Sequence, residues 1–217
     1  MEIIDFILHI DAHLAEFIRD YGMWIYAILF LIIFVETGVV VMPFLPGDSL
    51  LFAAGMLAAN PDNGLNVWIV IGLLLIAAVA GDSLNYSIGK RFGMNVTKVK
   101  IFGKQFVQPE HIDKTHAFYE KYGSKTIVIA RFVPIVRTLA PFVAGIGKMN
   151  YGTFITYNII GGTIWVVGIT LAGYFLGSFE WVQNNFSKIV MAIIVISILP
   201  IVFEFLKEKF FAKKIEG

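Results

Sequence analysis

The sequence predicts an all-α, polytopic membrane protein in which two oppositely oriented broken or re-entrant helical segments form an inverted repeat. The first observation is composition: the 217 residues are 58% hydrophobic and 15% charged, whereas a soluble domain is about half apolar and a quarter charged. The second is that the apolar residues form long runs, two of which contain a pair of prolines each. The third is that lysine and arginine crowd some loops and avoid others. Such a chain is expected to cross a membrane several times.

The N-terminal quarter predicts an interfacial helix and then a broken apolar segment. Residues 1–20 alternate apolar and charged side chains, which is typical of an amphipathic helix lying in the membrane interface. Residues 23–59 are apolar but are interrupted by Pro43, Pro46 and Gly47. Because proline removes a helical N–H donor and clashes with the preceding turn, this segment should break near its middle. It is either a hairpin of two crossing helices or a re-entrant loop.

The remainder supplies three spanning segments, a polar linker and a second broken segment, and residues 1–217 are expected to form a single membrane domain. The second broken segment, residues 126–147, contains Pro134 and Pro141, and its 22 residues are too few for two crossings. The other segments follow in chain order: a span at 67–89, a linker at 90–125 with an amphipathic helix near 110–122, spans at 151–177 and 188–206, and a tail at 207–217.

Lysine and arginine orient the chain, because cytoplasmic loops are enriched in both. Eight lie in the linker and four in the tail, while the loops 60–66 and 178–186 have none. The linker and the C-terminus are therefore expected in the cytoplasm. If each span crosses once, residues 126–147 must begin and end on the cytoplasmic side, which predicts a re-entrant segment. Residues 23–59 would then begin and end outside.

Short recurrences agree with two related halves that enter the membrane from opposite faces. Pro43 and Pro134 are 91 residues apart, and the tetrapeptides YSIG at 86–89 and YFLG at 174–177 are 88 apart. Transporters built from inverted repeats place their binding sites near the midplane, between broken helices. The sequence therefore predicts a site where the two broken segments meet.

Five ionisable residues inside apolar stretches are the candidate site: Glu36, Asp48, Asp82, Arg131 and Arg137. A charge at the centre of a membrane helix costs about 2.5–3.5 kcal/mol on insertion scales, so such residues usually pair, line a wet cavity or serve transport. Guanidinium groups bind phosphate bidentately, which makes the two arginines candidates for an anionic headgroup. The three acids are candidates for proton coupling.

Structural roles remain open for the same residues. Glu36 and Asp48 could pair with the arginines and hold the halves together, and Arg131 could extend to the cytoplasmic interface. Asp82 could serve helix packing, and Asp48 could cap a helix over 50–59. Three acids against two arginines would leave one carboxylate without a basic partner, and such a group is a candidate proton carrier.

Three runs resemble the DedA family of bacterial inner-membrane proteins, which share a VTT (SNARE-associated Golgi protein-like) domain: FVETGVVVMPFLPGDSLLFAAG, GDSLNYSIGKRFG and RFVPIVRTLAPFVAGIGKMNYGTFITYNIIGG. The resemblance covers nearly the whole chain. It implies that Glu36, Asp48, Arg131 and Arg137 match the family's essential membrane acids and arginines.

The resemblance also implies a transporter that needs the proton motive force and moves undecaprenyl phosphate or a phospholipid, as a flippase or scramblase. The expected partners are membrane lipids and protons. An oligomer is compatible with this function, and no nucleic acid partner is expected. No enzyme activity, cofactor or metal is expected, because the sequence lacks cysteine, nucleotide-binding loops and hydrolase motifs. The alternative is a proton or small-cation transporter in which the arginines only neutralise the acids. A lipid phosphatase and a structural scaffold are further alternatives.

Overall fold

The computed structural model describes residues 22–38, 47–93, 100–101, 104–105, 109–185, 188–189 and 192. Several predictions lie outside the described residues: the helix at 1–20, the breaks at Pro43 and Pro46, most of the span 188–206, and the tail 207–217. Within the described residues the chain is helical, which confirms the predicted class, apart from one two-residue antiparallel ladder in the linker. Its strands are β1 (Lys100–Ile101) and β2 (Lys104–Gln105).

The helices of the described residues, in chain order, are α1 (Trp24–Gly38), α2 (Gly47–Ala59), α3 (Val67–Phe92), α4 (Pro109–Tyr122), α5 (Thr126–Ala130), α6 (Pro134–Ile146), α7 (Tyr151–Gly177) and α8 (Glu180–Asn184). Short 3₁₀ turns follow α2 at Pro61–Asn63 and α4 at Gly123–Lys125. Helices α3 and α7, with 26 and 27 residues, are long and apolar enough to cross a membrane. Each is about 40 Å long at 1.5 Å per residue, against a hydrocarbon core of about 30 Å.

Three helix bounds differ from the sequence expectation. Helix α3 continues to Phe92, where Lys90 and Arg91 lie in its last turn and complement the helix dipole. Helix α2 begins at Gly47 and not at Leu50, so Asp48 lies inside its first turn and not at the cap, where a carboxylate also suits the dipole. The segment 178–186, expected to be a loop, contains the short helix α8.

The predicted break in residues 126–147 lies between α5 and α6. Helix α5 ends at Ala130, and Val133 has extended torsions (φ −118°, ψ 106°). That conformation is favoured before a proline, and Pro134 then takes the first position of α6, where its missing N–H costs nothing. Helix α6 has 13 residues, about 20 Å, and contains Pro141.

The chain divides into two compact units. The first unit comprises Met1–Ile25, Pro46–Val67 and Ile169–Gly217, and the second comprises Tyr26–Leu45 and Trp68–Gly168. Of the five candidate residues, only Asp48 belongs to the first unit.

In the second unit, α3 and α6 approach closely at two glycines. A side-chain carbon at Gly89 would overlap the backbone carbonyl of Phe142, and one at Gly145 would overlap that of Tyr86. Around this crossing lies an aromatic core in which the rings of Tyr86 and Phe154 stack at 4.5 Å between centroids. The close approach fixes α6, and with it the arginine that α6 carries, against α3.

In the first unit, α2 and the C-terminal part of α7 meet in the same way. A side-chain carbon at Gly173 would overlap the carbonyl of Phe52, and one at Gly55 would overlap that of Thr170. Small residues at helix contacts let backbones approach in membrane proteins. Each unit therefore contains one tight crossing between a 13-residue helix and a long helix.

Candidate functional site

Arg131 lies buried in the three-residue break between α5 and α6. Its Nη2 donates hydrogen bonds to the Asp82 carboxylate of α3 and to Asn158 Oδ1 of α7. The guanidinium carbon lies 5.6 Å from the centroid of the Trp165 ring, within the range of a cation–π contact. A break in the helical ladder thus brings one cation against an acid, an amide and an indole from two long helices.

Arg137 of α6 forms a second ion pair, with Glu36 of α1. Its Nη2 donates to Glu36 Oε1 at 2.8 Å, and Glu36 is only 2% exposed. The guanidinium carbon lies 5.5 Å from the Trp165 ring centroid. Trp165, itself buried, therefore contacts both arginines, and the two ion pairs form one site in the second unit.

Asn85, one turn after Asp82 on α3, fixes the two elements that carry the second pair. Its Nδ2 donates to the carbonyl of Thr37 at 3.3 Å and to that of Thr138 at 2.8 Å. These carbonyls belong to the neighbours of Glu36 and Arg137. Asn85 is fully buried, so its amide ties the end of α1 to α6.

Glycines make room for the buried arginine and for the end of α1. A side-chain carbon at Gly161 of α7 would lie 3.2 Å from Cδ and Nε of Arg131. One at Gly81 would lie 2.8 Å from the carbonyl oxygen of Phe34 and still closer to the hydroxyl of Thr37. On two sides of the site, therefore, a neighbouring helix approaches so closely that only glycine fits at the contact.

Helix α4 contacts the same region through Tyr119. The Tyr119 hydroxyl donates to the carbonyl of Ala140 at 2.8 Å. Burial, and to a smaller extent the Asp82 carboxylate, raise the pKa of Tyr119 above its ordinary value. Tyr119 therefore stays a neutral donor at physiological pH and adds no charge to the site.

The cavity at the centre of the site is small, and both charged and apolar side chains line it. The volume open to the centre of a water-sized sphere is about 10 Å³, which is room for about one water molecule. Its lining carries the two arginines and two of the acids, so the ionisable groups that line it sum to zero charge. The lining residues are Glu36, Thr37, Asp82, Ile127, Arg131, Arg137, Thr138, Pro141 and Trp165.

Three polar atoms at the site are buried without a hydrogen-bond partner among the described residues: Nε of Arg131, Oδ1 of Asn85 and the second carboxylate oxygen, Oε2, of Glu36, whose Oε1 accepts from Arg137. Buried polar atoms in proteins are nearly always satisfied by protein or water. The Nε–H lies on the edge of the guanidinium that normally grips a bidentate oxyanion together with a terminal nitrogen. Among the described residues, Nη2 on that edge donates hydrogen bonds and Nε has no acceptor.

The structure brings four of the five predicted residues together and shows which acid pairs with which arginine. Asp82, for which helix packing was the other reading, is the partner of Arg131, and Glu36 is the partner of Arg137. Asp48 lies in the first unit, half-buried in the first turn of α2. The roles assigned to these residues in proton coupling and phosphate binding stay predictions.

Sequence reasoning did not identify Asn85 as part of the site. A signal for Asn85 was present, because Asp82 and Asn85 are three apart in an apolar helix and so share one face. Among the described residues no group of three or more histidine, cysteine, aspartate or glutamate side chains could hold a metal ion.

Comparison with known proteins gives consistent matches along the chain. The VTT domain family matches residues 45–175. Protein DedA of Escherichia coli (strain K12) is 56% identical over 210 residues, covering 95% of this chain and 94% of that protein. An uncharacterized membrane protein of Mycobacterium tuberculosis (strain H37Rv) is 43% identical over 79% of this chain and 74% of its own length. Inner membrane protein YqjA of E. coli K12 is 36% identical over 70% and 68%. No solved structure matches.

Proposed function

Because this chain belongs to the DedA family of VTT-domain membrane proteins, we propose that it is a proton-motive-force-dependent transporter of a phosphate-bearing lipid. The substrate would be undecaprenyl phosphate or a phospholipid, and Arg131 and Arg137 would hold its phosphate. The acids Glu36, Asp48 and Asp82 would carry or gate the protons. The protein would act as a carrier and not as an enzyme, with lipids and protons as its partners.

The observation that carries the proposal is the pair of guanidinium groups beside one buried indole in a proline-broken segment. Each is neutralised by a membrane acid at hydrogen-bond distance, and Arg131 keeps a donor, Nε–H, without a partner among the described residues. Arginine favours phosphate because its planar fork matches two oxygens at once. A cavity that admits about one water corresponds to a closed arrangement that has to open before a headgroup enters.

The two tight helix crossings support an inverted-repeat architecture. In both crossings a Phe-x-x-Gly sequence on the short helix meets the long helix, at Phe52–Gly55 and at Phe142–Gly145, which are 90 residues apart. The opposing glycines, Gly89 and Gly173, are 84 apart, one helical turn fewer than the spacing of the YSIG and YFLG tetrapeptides. We propose that α2 and α6 are equivalent re-entrant helices in a bacterial inner-membrane protein whose C-terminus is cytoplasmic.

Cysteine labelling tests this topology, since the chain has no natural cysteine. Asp62→Cys is expected to react with an impermeant maleimide from outside, and Lys148→Cys and Arg91→Cys only from inside. At the two tips, Met42→Cys is expected to react from outside and Phe132→Cys from inside. Labelling of Lys148→Cys from outside would contradict a re-entrant α5–α6 segment.

Lipid transport in proteoliposomes tests the function. Protein reconstituted with fluorescent undecaprenyl phosphate or phospholipid, under an imposed proton gradient, is expected to move the lipid between leaflets. Glu36→Gln and Arg137→Gln should reduce the rate at least tenfold, because each removes a charge from the site. Folding of each variant is checked by size-exclusion chromatography and thermal unfolding.

The matched controls carry the same substitutions at exposed positions. Glu120→Gln on α4 and Arg91→Gln at the end of α3 are exposed and lie outside the site, and both should transport as the wild type does. Wild-type rates for Glu36→Gln and Arg137→Gln in folded protein would refute the assignment of these residues.

The pairing of each arginine with one acid favours a second candidate, a proton or small-cation transporter. There the arginines serve only to neutralise the acids, and the small cavity would hold water or an ion. This candidate predicts ion flux driven by a pH gradient in liposomes that contain no polyprenyl phosphate, at a rate independent of the lipid added. Flux that requires the phosphate-bearing lipid would exclude it.

A further inference from the structure

The groups around Arg131 leave no room for a phosphate unless one of them moves. Its Nη2 already donates to both Asp82 and Asn158, and Trp165 lies against the guanidinium. The cavity beside it admits about one water molecule. Asn158 is also held by a hydrogen bond from its Nδ2 to the carbonyl of Val79, and Trp165 is buried. Asp82, whose one hydrogen bond among the described residues comes from Arg131, is the group that can be displaced.

The net charge of the site changes when a phosphate binds. The two arginines balance Glu36 and Asp82, so the described site is neutral. A phosphate monoester adds about −1.5 to −2 at neutral pH. Excess charge in a buried site costs several kcal/mol, and such groups usually change protonation instead. A carboxylate that has lost its arginine is the group there that can accept a proton.

We propose that phosphate binding and proton uptake are coupled by exchange at Arg131: the phosphate takes the guanidinium from Asp82, and the Asp82 carboxylate takes one proton. This rests on the proposed function and adds its coupling step. An O–H bond forms at a carboxylate oxygen, the acid form of the solvent buffer gives up the proton and becomes its conjugate base, and no bond of the phosphate ester breaks. The phosphate gains the Nε–H that has no described partner, so that two parallel hydrogen bonds replace one contact.

The other groups facing Asp82 do not take this role. Arg131 and Arg137 stay charged, because arginine is effectively always protonated. Tyr119 of α4 is already protonated and donates to Ala140. From α7 the neighbours are an amide and an indole. Glu36 of α1 is the remaining acid of the site, and it keeps its own partner, Arg137.

Calorimetry on purified protein in dodecyl maltoside micelles tests the exchange. Farnesyl monophosphate is titrated at pH 8, where the monoester is a dianion, in two buffers with different heats of ionisation, and the difference gives the number of protons taken up. The wild type is expected to take up about one proton per phosphate bound. Asp82→Asn should bind with almost none, whereas the exposed control Glu120→Gln should match the wild type.

The pH dependence of affinity gives an independent readout. Uptake of one proton weakens wild-type binding by up to about tenfold per pH unit between pH 7.5 and 9, while Asp82→Asn should change less than about twofold. Inorganic phosphate in a parallel titration shows whether the headgroup alone suffices, and the proton count is applied to whichever probe binds. Asp82→Glu, which keeps a carboxylate, should retain the uptake and serves if Asp82→Asn does not fold.

Each outcome separates the inference from the function. Wild-type binding without proton uptake, or unchanged uptake in Asp82→Asn, would overturn the exchange at Asp82 and leave phosphate binding intact. If neither phosphate probe binds the wild type, the proposed function fails as well.

Discussion

Arg131→Ala is expected to lower the free energy of unfolding by about 3–5 kcal/mol, because it leaves a buried carboxylate without its cation. Asp82 is 5% exposed, and its described contact is the Arg131 guanidinium. The same change removes the donor to Asn158 Oδ1 and the cation over Trp165. Denaturant titration of the protein in mixed micelles measures the loss. Arg91→Ala, at an exposed arginine, should change the free energy by less than about 0.5 kcal/mol.

A second substitution distinguishes loss of the ion pair from loss of packing. In Arg131→Met/Asp82→Leu neither charge remains, and replacing a buried ion pair by apolar residues is often neutral or stabilising. We expect the double variant to recover most of the stability and to transport no lipid. Equal losses for the single and double variants would show that the stranded carboxylate is not the cause.

The destabilisation by Arg131→Ala should also depend on pH. Protonation at low pH neutralises the carboxylate that Arg131→Ala leaves buried, which removes the cost of an unpaired buried charge, so stability increases as pH falls. The difference from wild type is therefore expected to be smaller at pH 5 than at pH 8. A pH-independent difference would indicate that Asp82 reaches water or another cation once Arg131 is removed.

The sequence was sufficient to locate the site because charges in apolar segments are costly and stand out. Four residues were identified in this way: Glu36, Asp82, Arg131 and Arg137. Pro134 identified the helix break in which Arg131 lies. The choice of partners could not be predicted. Three acids were equivalent candidates by composition, and the preference of Arg131 for Asp82 depends on where the chain turns between α5 and α6.

The residues that were missed are uncharged, so they do not stand out in an apolar segment as a charged residue does. Asn85 is an uncharged amide, and its importance lies in two carbonyls, of Thr37 and Thr138, that are 48 and 53 residues distant in sequence. Gly89 is one of 20 glycines, and its close contact with Phe142 becomes visible only when α3 and α6 cross. The spacing of 84 between Gly89 and Gly173, on which the proposed repeat rests, is one helical turn less than the tetrapeptide spacing, and the sequence alone offered no reason to choose it.

Gly89→Ala is expected to destabilise the protein by about 1–3 kcal/mol, the usual cost of forcing extra volume into a packed contact. The added methyl would overlap the Phe142 carbonyl, and backbone cannot move aside as a flexible side chain can. Gly72→Ala is the matched control on the same helix, since nothing lies within 4 Å of its added carbon. That change should be neutral or stabilise by about 0.5–1 kcal/mol, because alanine is the better helix former.

The proposed repeat extends this prediction to the other unit. Gly173→Ala would overlap the Phe52 carbonyl as Gly89→Ala overlaps that of Phe142, while Gly168→Ala on the same helix meets nothing within 4 Å. If the two crossings are equivalent, thermal unfolding in micelles should show losses of similar size for Gly89→Ala and Gly173→Ala and none for either control. A loss at Gly89 alone would mean that α2 and α7 can move apart without loss of stability. That result would count against α2 and α6 as equivalent helices of the proposed repeat.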